Sequence, residues 1–183
     1  MTVRTRALIL IVGAAQAAGT LAAPAHVAVA MAAPRPEDIA TIDGMVKAYY
    51  EVVTGPAGQP RDWARDRSLY IKDLRFVIVD YDKSGQPAPK IVDHQQFVDS
   101  SNASLMKGFV EKEIHRVTER FGPIAHVWST YESRQTETGL IIKRGINSIE
   151  LFWDGKRWWI ANAIWTDETK DNPIPKEYLP QGK

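Results

Sequence analysis

Hydrophobic and polar positions change period along this chain. In "EDIATIDGMVKAYYEVVTG" the apolar residues Ile39, Ile42, Val46, Tyr49 and Val53 recur at steps of three and four, which predicts a helix with one buried face. Glu37 and Asp38 suit its first turn, and Gly55-Pro56 stops it. A polar piece carrying Trp63, one or two helical turns long, leads to "LRFVIVDYD", whose apolar run predicts a strand. "DKSGQPAP" reads as a loop, and Asp93 followed by Gln96 has the form of a capping box opening a second helix through Phe97 and Val98. From Gly108 to about Asp167 the period becomes two. Turns at Gly122-Pro123, in the Thr136 to Gly139 region and at Asp154-Gly155 divide this stretch into four antiparallel strands in series, the last turn having the Asp-Gly pair favoured by type I′ hairpins. Helices first and a long meander afterwards predict an α+β fold: a curved antiparallel sheet wrapped on N-terminal helices, forming a cone with an internal pocket.

Residues 1–32 differ in kind from the rest. Arg4 and Arg6 precede an uncharged run rich in Ala, Leu and Ile, followed by the small-x-small forms "AVA" and "AMA", as in a secretory signal peptide. Its apolar centre is shorter than the roughly 20 residues of a membrane span. The expectation is export to the periplasm or the medium, with no membrane attachment after cleavage. One domain, residues 35–168, then follows, with an extended, proline-rich tail at 169–183. Removing the segment takes the net charge from +1 to −1 and leaves no basic stripe, which argues against a nucleic-acid partner. With no cysteine in the chain, thiolate metal sites and cysteine nucleophiles are excluded.

Hairpin geometry brings candidate chemistry together. If Phe121 and Ile124 flank the first turn, Glu119 opposes His126, Val117 opposes Trp128, His115 opposes Thr130 and Glu113 opposes Glu132. Opposed Cβ atoms lie about 5 Å apart, so Glu119 and His126 could share a hydrogen bond. His126 would then serve as a general base oriented by Glu119, with His115 further along as a second polar group. A satisfied cross-strand pair that only fixes register is the plainer alternative. His115 and Glu119 are about 13 Å apart along a strand at about 3.3 Å per residue, too far to ligate one metal ion, and no metal or cofactor is expected. Around the last turn Leu151 would oppose Trp158, Ile149 Ile160 and Asn147 Asn162. Both faces of this hairpin are apolar, so a second copy of the protein is expected to cover part of the face that the helices leave open.

This order of elements resembles the nuclear transport factor 2-like superfamily, and "EIHRVTERFGPIAHVWSTYESR", "RGINSIELFWDGKRWWIANAIW" and "NPIPKEYLP" resemble its bacterial SnoaL-like members, across about Asp38 to Asp167. The resemblance implies a cystatin-like cone with a pocket, often in a homodimer. It also admits either a cofactor-free lyase or isomerase or a non-catalytic ligand-binding or dimerisation module, since fold does not settle function. Asp80 and Tyr49 or Tyr50 occupy elements comparable to those carrying the ketosteroid isomerase site, whose pattern is not matched. The Asp-Arg-Asp set of limonene epoxide hydrolase is absent. His115, His126, Asn147 and Tyr49 or Tyr50 supply the residue types that scytalone dehydratase uses. The expected substrate is a small, largely apolar molecule, contacted by Tyr49, Tyr50, Asp80, Trp128, Asn147 and Asn162. Tyr49 and Tyr50 differ by about 100° around their helix, so only one can face the pocket fully.

Overall fold

The computed structural model describes residues 32–181. The signal-peptide expectation for residues 1–32 thus lies, all but its last residue, outside the described residues. Among the described residues no helix is long and apolar enough to cross a membrane.

The N-terminal helix is broken in two. A single turn, α1 (Pro36–Ile39), is followed by α2 (Ile42–Glu51), because Thr41 caps α2, its hydroxyl accepting a bond from the Gly44 amide at 2.9 Å. Met45, Val46, Ala48, Tyr49 and Tyr50 of α2 are buried, a wider face than the three-four stripe predicted. Trp63 opens the short helix α3 (Trp63–Arg67), and the capping box at Asp93 and Gln96 opens α4 (His94–Leu105) as expected. The Arg61 guanidinium ties these pieces together by donating to the carbonyls of Val53, Gln59, Gly55 and Leu105.

Six strands form one sheet: β1 (Phe76–Tyr81), β2 (Pro87–Val92), β3 (Val110–Phe121), β4 (Ile124–Arg134), β5 (Ile141–Trp153) and β6 (Trp158–Asp167), in the order β2-β1-β6-β5-β4-β3. The four-strand meander is as predicted, and β1 joins it by parallel pairing with β6. Residues 87–89, expected as the end of a loop, instead open strand β2. It pairs only with β1, and an edge strand is where Pro87 and Pro89 are tolerated.

Register follows expectation near the first turn and departs from it beyond two bulges. Glu119 opposes His126, Val117 opposes Trp128 and His115 opposes Thr130. A bulge at Ile114 then shifts the strand, so Glu113 opposes Tyr131 and not Glu132. The last hairpin turns through four residues, Asp154 to Arg157, with Asp154 Oδ1 accepting from the Lys156 and Arg157 amides. Trp158 therefore faces Trp153 and Ile160 faces Leu151. A second bulge sets Asn162 against Glu150 and Asn147 against Trp165, so the expected amide pair does not form.

These registers sort the sheet into two faces. Ala125, Val127 and Tyr131 of β4 join Ile149 and Leu151 of β5, Ile160 and Ala163 of β6 and Phe76 of β1 in one buried cluster with α2. His126, Trp128 and Thr130, next to them in β4, occupy the outer face. There the tail is not wholly extended: it makes a short 3₁₀ turn (Lys176–Tyr178) and lies over β4, with the Thr130 hydroxyl donating to the Tyr178 carbonyl at 2.6 Å and the Tyr178 ring 5.8 Å from that of Trp128.

Candidate functional site

Between α2, α4 and the inner face of the sheet lies a cavity of about 550 Å³. Its apolar walls include Tyr70, Phe76, Phe97, Phe109 and Trp165, and its polar groups include Glu111 on β3, Ser133 on β4, Lys143 and Asn147 on β5, Asp167 on β6, and Ser100, Ser101 and Ser104 on α4. Phe76, Phe97 and Trp165 pack against one another at centroid distances of 5.1 to 6.1 Å, which fixes that wall.

One bank of the cavity is a line of committed donors. Tyr49 donates to Asn147 Oδ1 at 3.3 Å and Asn147 Nδ2 donates to the Tyr50 oxygen at 3.0 Å. The Ser129 proton goes to Glu113, so the Ser129 oxygen accepts from Tyr50 at 2.6 Å. Arg116 closes the line, forking onto Glu113 and reaching Asp43 at 2.6 Å. Burial raises the pKa of both tyrosines, so they stay neutral donors. On the opposite bank Tyr131 donates to Asp167 at 2.6 Å, and Lys143 binds the other Asp167 oxygen. Gly145 lies across from Tyr131 because a Cβ there would stand 2.4 Å from the tyrosine oxygen.

Glu111 lies between the banks. Its backbone is pinned by Thr54, whose hydroxyl both accepts from the Glu111 amide and donates to its carbonyl. The side chain is only partly exposed, and its carboxyl has no hydrogen-bond partner among the described residues. The protein packed around it strips the charged form of solvent, and Asp167 opposes that charge, while Lys143 offsets part of the effect. Together they push the carboxyl up to about 8. Across the strand pair from Glu111, Ser133 is fully buried, and its hydroxyl also has no partner. A group that titrates near neutrality inside an apolar hollow can hold a proton, give one up or meet a cation.

The residues singled out from sequence divide between the two faces. Tyr49 and Asn147 line the cavity, and Tyr50, one position round the helix from Tyr49, supports them from behind. His126, Glu119 and His115 lie on the outer face and line no cavity among those described here. His126 bonds Ser148 at 3.0 Å and approaches Glu150 at 4.0 Å, so the expected bond to Glu119 is not made. Trp128 lines a second hollow of about 500 Å³ under the tail. Asp80 sits exposed near the end of β1, and Asn162 lies on the outer face with its Oδ1 buried and unpartnered. Sequence reasoning missed Glu111, Ser133 and the Tyr131–Asp167–Lys143 group. It also missed a buried trio beside the cavity, in which Asp66 accepts from Tyr70 and bonds His94, each at 2.9 Å. The alternation of Glu111 with Glu113 marked one face of β3, but the bulge at Ile114 decides which face that is.

No family model and no curated protein sequence matches the chain. Solved structures do. A protein of unknown function with a cystatin-like fold from Nostoc punctiforme is 8% identical, with a TM-score of 0.54, covering 70% of this chain and 90% of that one. A function-unknown protein from Mycobacterium tuberculosis is 13% identical, with a TM-score of 0.54, covering 74% and 75%. A structure named provisionally as the beta subunit of an aromatic-ring-hydroxylating dioxygenase from Novosphingobium aromaticivorans is 17% identical, with a TM-score of 0.50, covering 74% and 95%. At these identities the likeness is one of fold. The chain has the α+β, cystatin-like architecture expected from its sequence, and the nuclear transport factor 2-like superfamily with its SnoaL-like subtype stays an expectation.

Proposed function

We propose that this chain is a pocket protein that binds one small, largely apolar molecule between α2, α4 and the inner face of the sheet. The observation that carries this reading is the 550 Å³ cavity itself, walled by aromatic rings and holding a few convergent polar groups. A neutral naphthyl fluorophore should be taken up saturably at one site per chain, with energy transfer from tryptophan. Val53→Trp, which fills the cavity from its wall, should abolish that uptake without unfolding the protein. Unchanged uptake by the folded variant would refute the reading.

A second reading is supported by Glu111: a carboxyl that titrates at about 8 beside a ligand is suited to proton transfer, as in a cofactor-free lyase or isomerase. In that case Glu111, and not His126, is the acid-base group the cavity presents. A non-catalytic binding or dimerisation module is the alternative, in which the same residues only shape the hollow. Export to the periplasm or medium belongs to the same proposal and rests on the character of residues 1–32. Association of two copies through the outer face is supported by Val117, Phe121 and Ile124, which the tail leaves exposed.

A further inference from the structure

Resting on that pocket reading, we infer that the ligand is a cation: an apolar body ending in a protonated amine, with the ammonium seated between the Glu111 carboxylate and the Ser133 hydroxyl. Three observations on the cavity wall converge on this. The first concerns hydrogen-bonding capacity. Tyr49 spends its proton on Asn147, and Tyr131 spends its own on Asp167, so what remains free at these two oxygens is lone pairs. The Glu111 carboxylate is acceptor-only when ionised, and the buried Ser133 oxygen across the strand pair has no partner. The Ser133 hydroxyl, like Ser101 and Ser104 of α4, keeps a proton it can donate, but once Glu111 is ionised its two oxygens can only accept, and an ammonium brings three donors to them.

The second concerns charge. Around Glu111 stand Asp167 from β6, Lys143 from β5, Tyr131 from β4, and Tyr49 and Tyr50 from α2; Lys107, just after α4, also borders the cavity. The tyrosines are neutral, and Lys143 is committed to Asp167. Lys107 lies outside the sheet, on an exposed position. The carboxylate of Glu111 is thus left without a cation of its own. The third concerns the walls. Faces and edges of Phe76, Phe97, Phe109 and Trp165 surround the space an ammonium's carbon body would fill, and aromatic faces attract cations that have shed water.

Calorimetric titration of the protein with three probes sharing one naphthyl body tests this: 2-(1-naphthyl)ethylamine, 2-(1-naphthyl)ethanol and 1-naphthylacetate. The amine should bind tightest. Because it needs Glu111 ionised and keeps its own proton over this range, its affinity should rise about twenty-fold between about pH 6.5 and about pH 8.5. The alcohol should show no such trend. Glu111→Gln should weaken the amine and flatten its pH dependence; the wild-type profile stands as a test even if this variant folds poorly. Binding of the alcohol or the acetate as tightly as the amine, or an amine affinity that falls with rising pH, overturns the cation while leaving the pocket reading intact. Binding by none of the three overturns the pocket reading, and this inference with it.

Discussion

The two faces of the sheet are made from neighbouring residues of the same strands, yet they do different work. On the inner face polar groups are buried under helices and settle into a directed network around a hollow: Tyr49, Asn147, Tyr50, Ser129 and Glu113 in line, with Tyr131, Asp167 and Lys143 opposite. On the outer face His126, Glu119 and His115 remain at or near solvent, and a tail of Pro, Ile and Tyr residues lies over part of the surface. The difference teaches that a histidine beside a glutamate on a half-buried strand carries less functional information than an unpartnered carboxyl beneath a helix. Water can satisfy the first arrangement. The second is left waiting for something else.

The largest effect that separates the faces should come from Asn147. Replacing it with Ala strands the Tyr49 hydroxyl in the core and takes from the Tyr50 oxygen the bond it accepts, and the loss should be about 3 kcal/mol in urea unfolding. His126→Ala, on the outer face, should cost less than about 1 kcal/mol. Equal losses would show that the two faces are buried alike. Next comes Gly145→Ala, whose new methyl would collide with the Tyr131 oxygen and the Thr166 carbonyl, both at 2.4 Å. It should destabilise the protein by about 2 kcal/mol and detach Tyr131 from Asp167, visible as a shift in tyrosine ultraviolet absorbance.

A smaller effect should appear with pH. Glu111 has a folded-state pKa of about 8 against an ordinary 4.5, so the folded state holds a proton that the unfolded chain has already lost. Its contribution to stability is therefore intact below the ordinary value and declines as pH rises towards about 8. Glu111→Gln should raise the melting temperature by a few degrees near pH 8 and leave it unchanged near pH 4. A constant difference at both values would mean that Glu111 titrates normally. Smallest of all, His126→Gln should leave uptake of a naphthyl probe unaltered, and a loss of uptake would return the outer face to consideration.

Much of the fold was legible in the sequence because its signals are local. Asp93 and Gln96 close their capping box within one turn, and the alternation of β3 through β6 persists for long enough to set strand number and order. Pro87 and Pro89 argued against a strand because proline is excluded from central strands, and only the assembled sheet shows β2 to be an edge. The site was less legible. Two bulges, at Ile114 and near Ala161, each reverse which side chains face inwards, and nothing in the alternation announces them. Glu119 and His126 were paired correctly, but both faces of this sheet mix apolar and polar residues. The choice of inner face depended on α2 and on the tail, both distant in sequence. Glu111 stands out only when Tyr49, Lys143 and Asp167, from three other elements, are brought round it.

Two-dimensional amide NMR of the folded protein, recorded while 2-(1-naphthyl)ethylamine is added, tests most directly whether the inner hollow is the working part of this molecule. Saturating shifts at Phe97, Ser104, Glu111 and Ser133, with His126 and Ser148 unmoved, are the predicted result. Shifts confined to His126, Trp128 and Ser148 would contradict it.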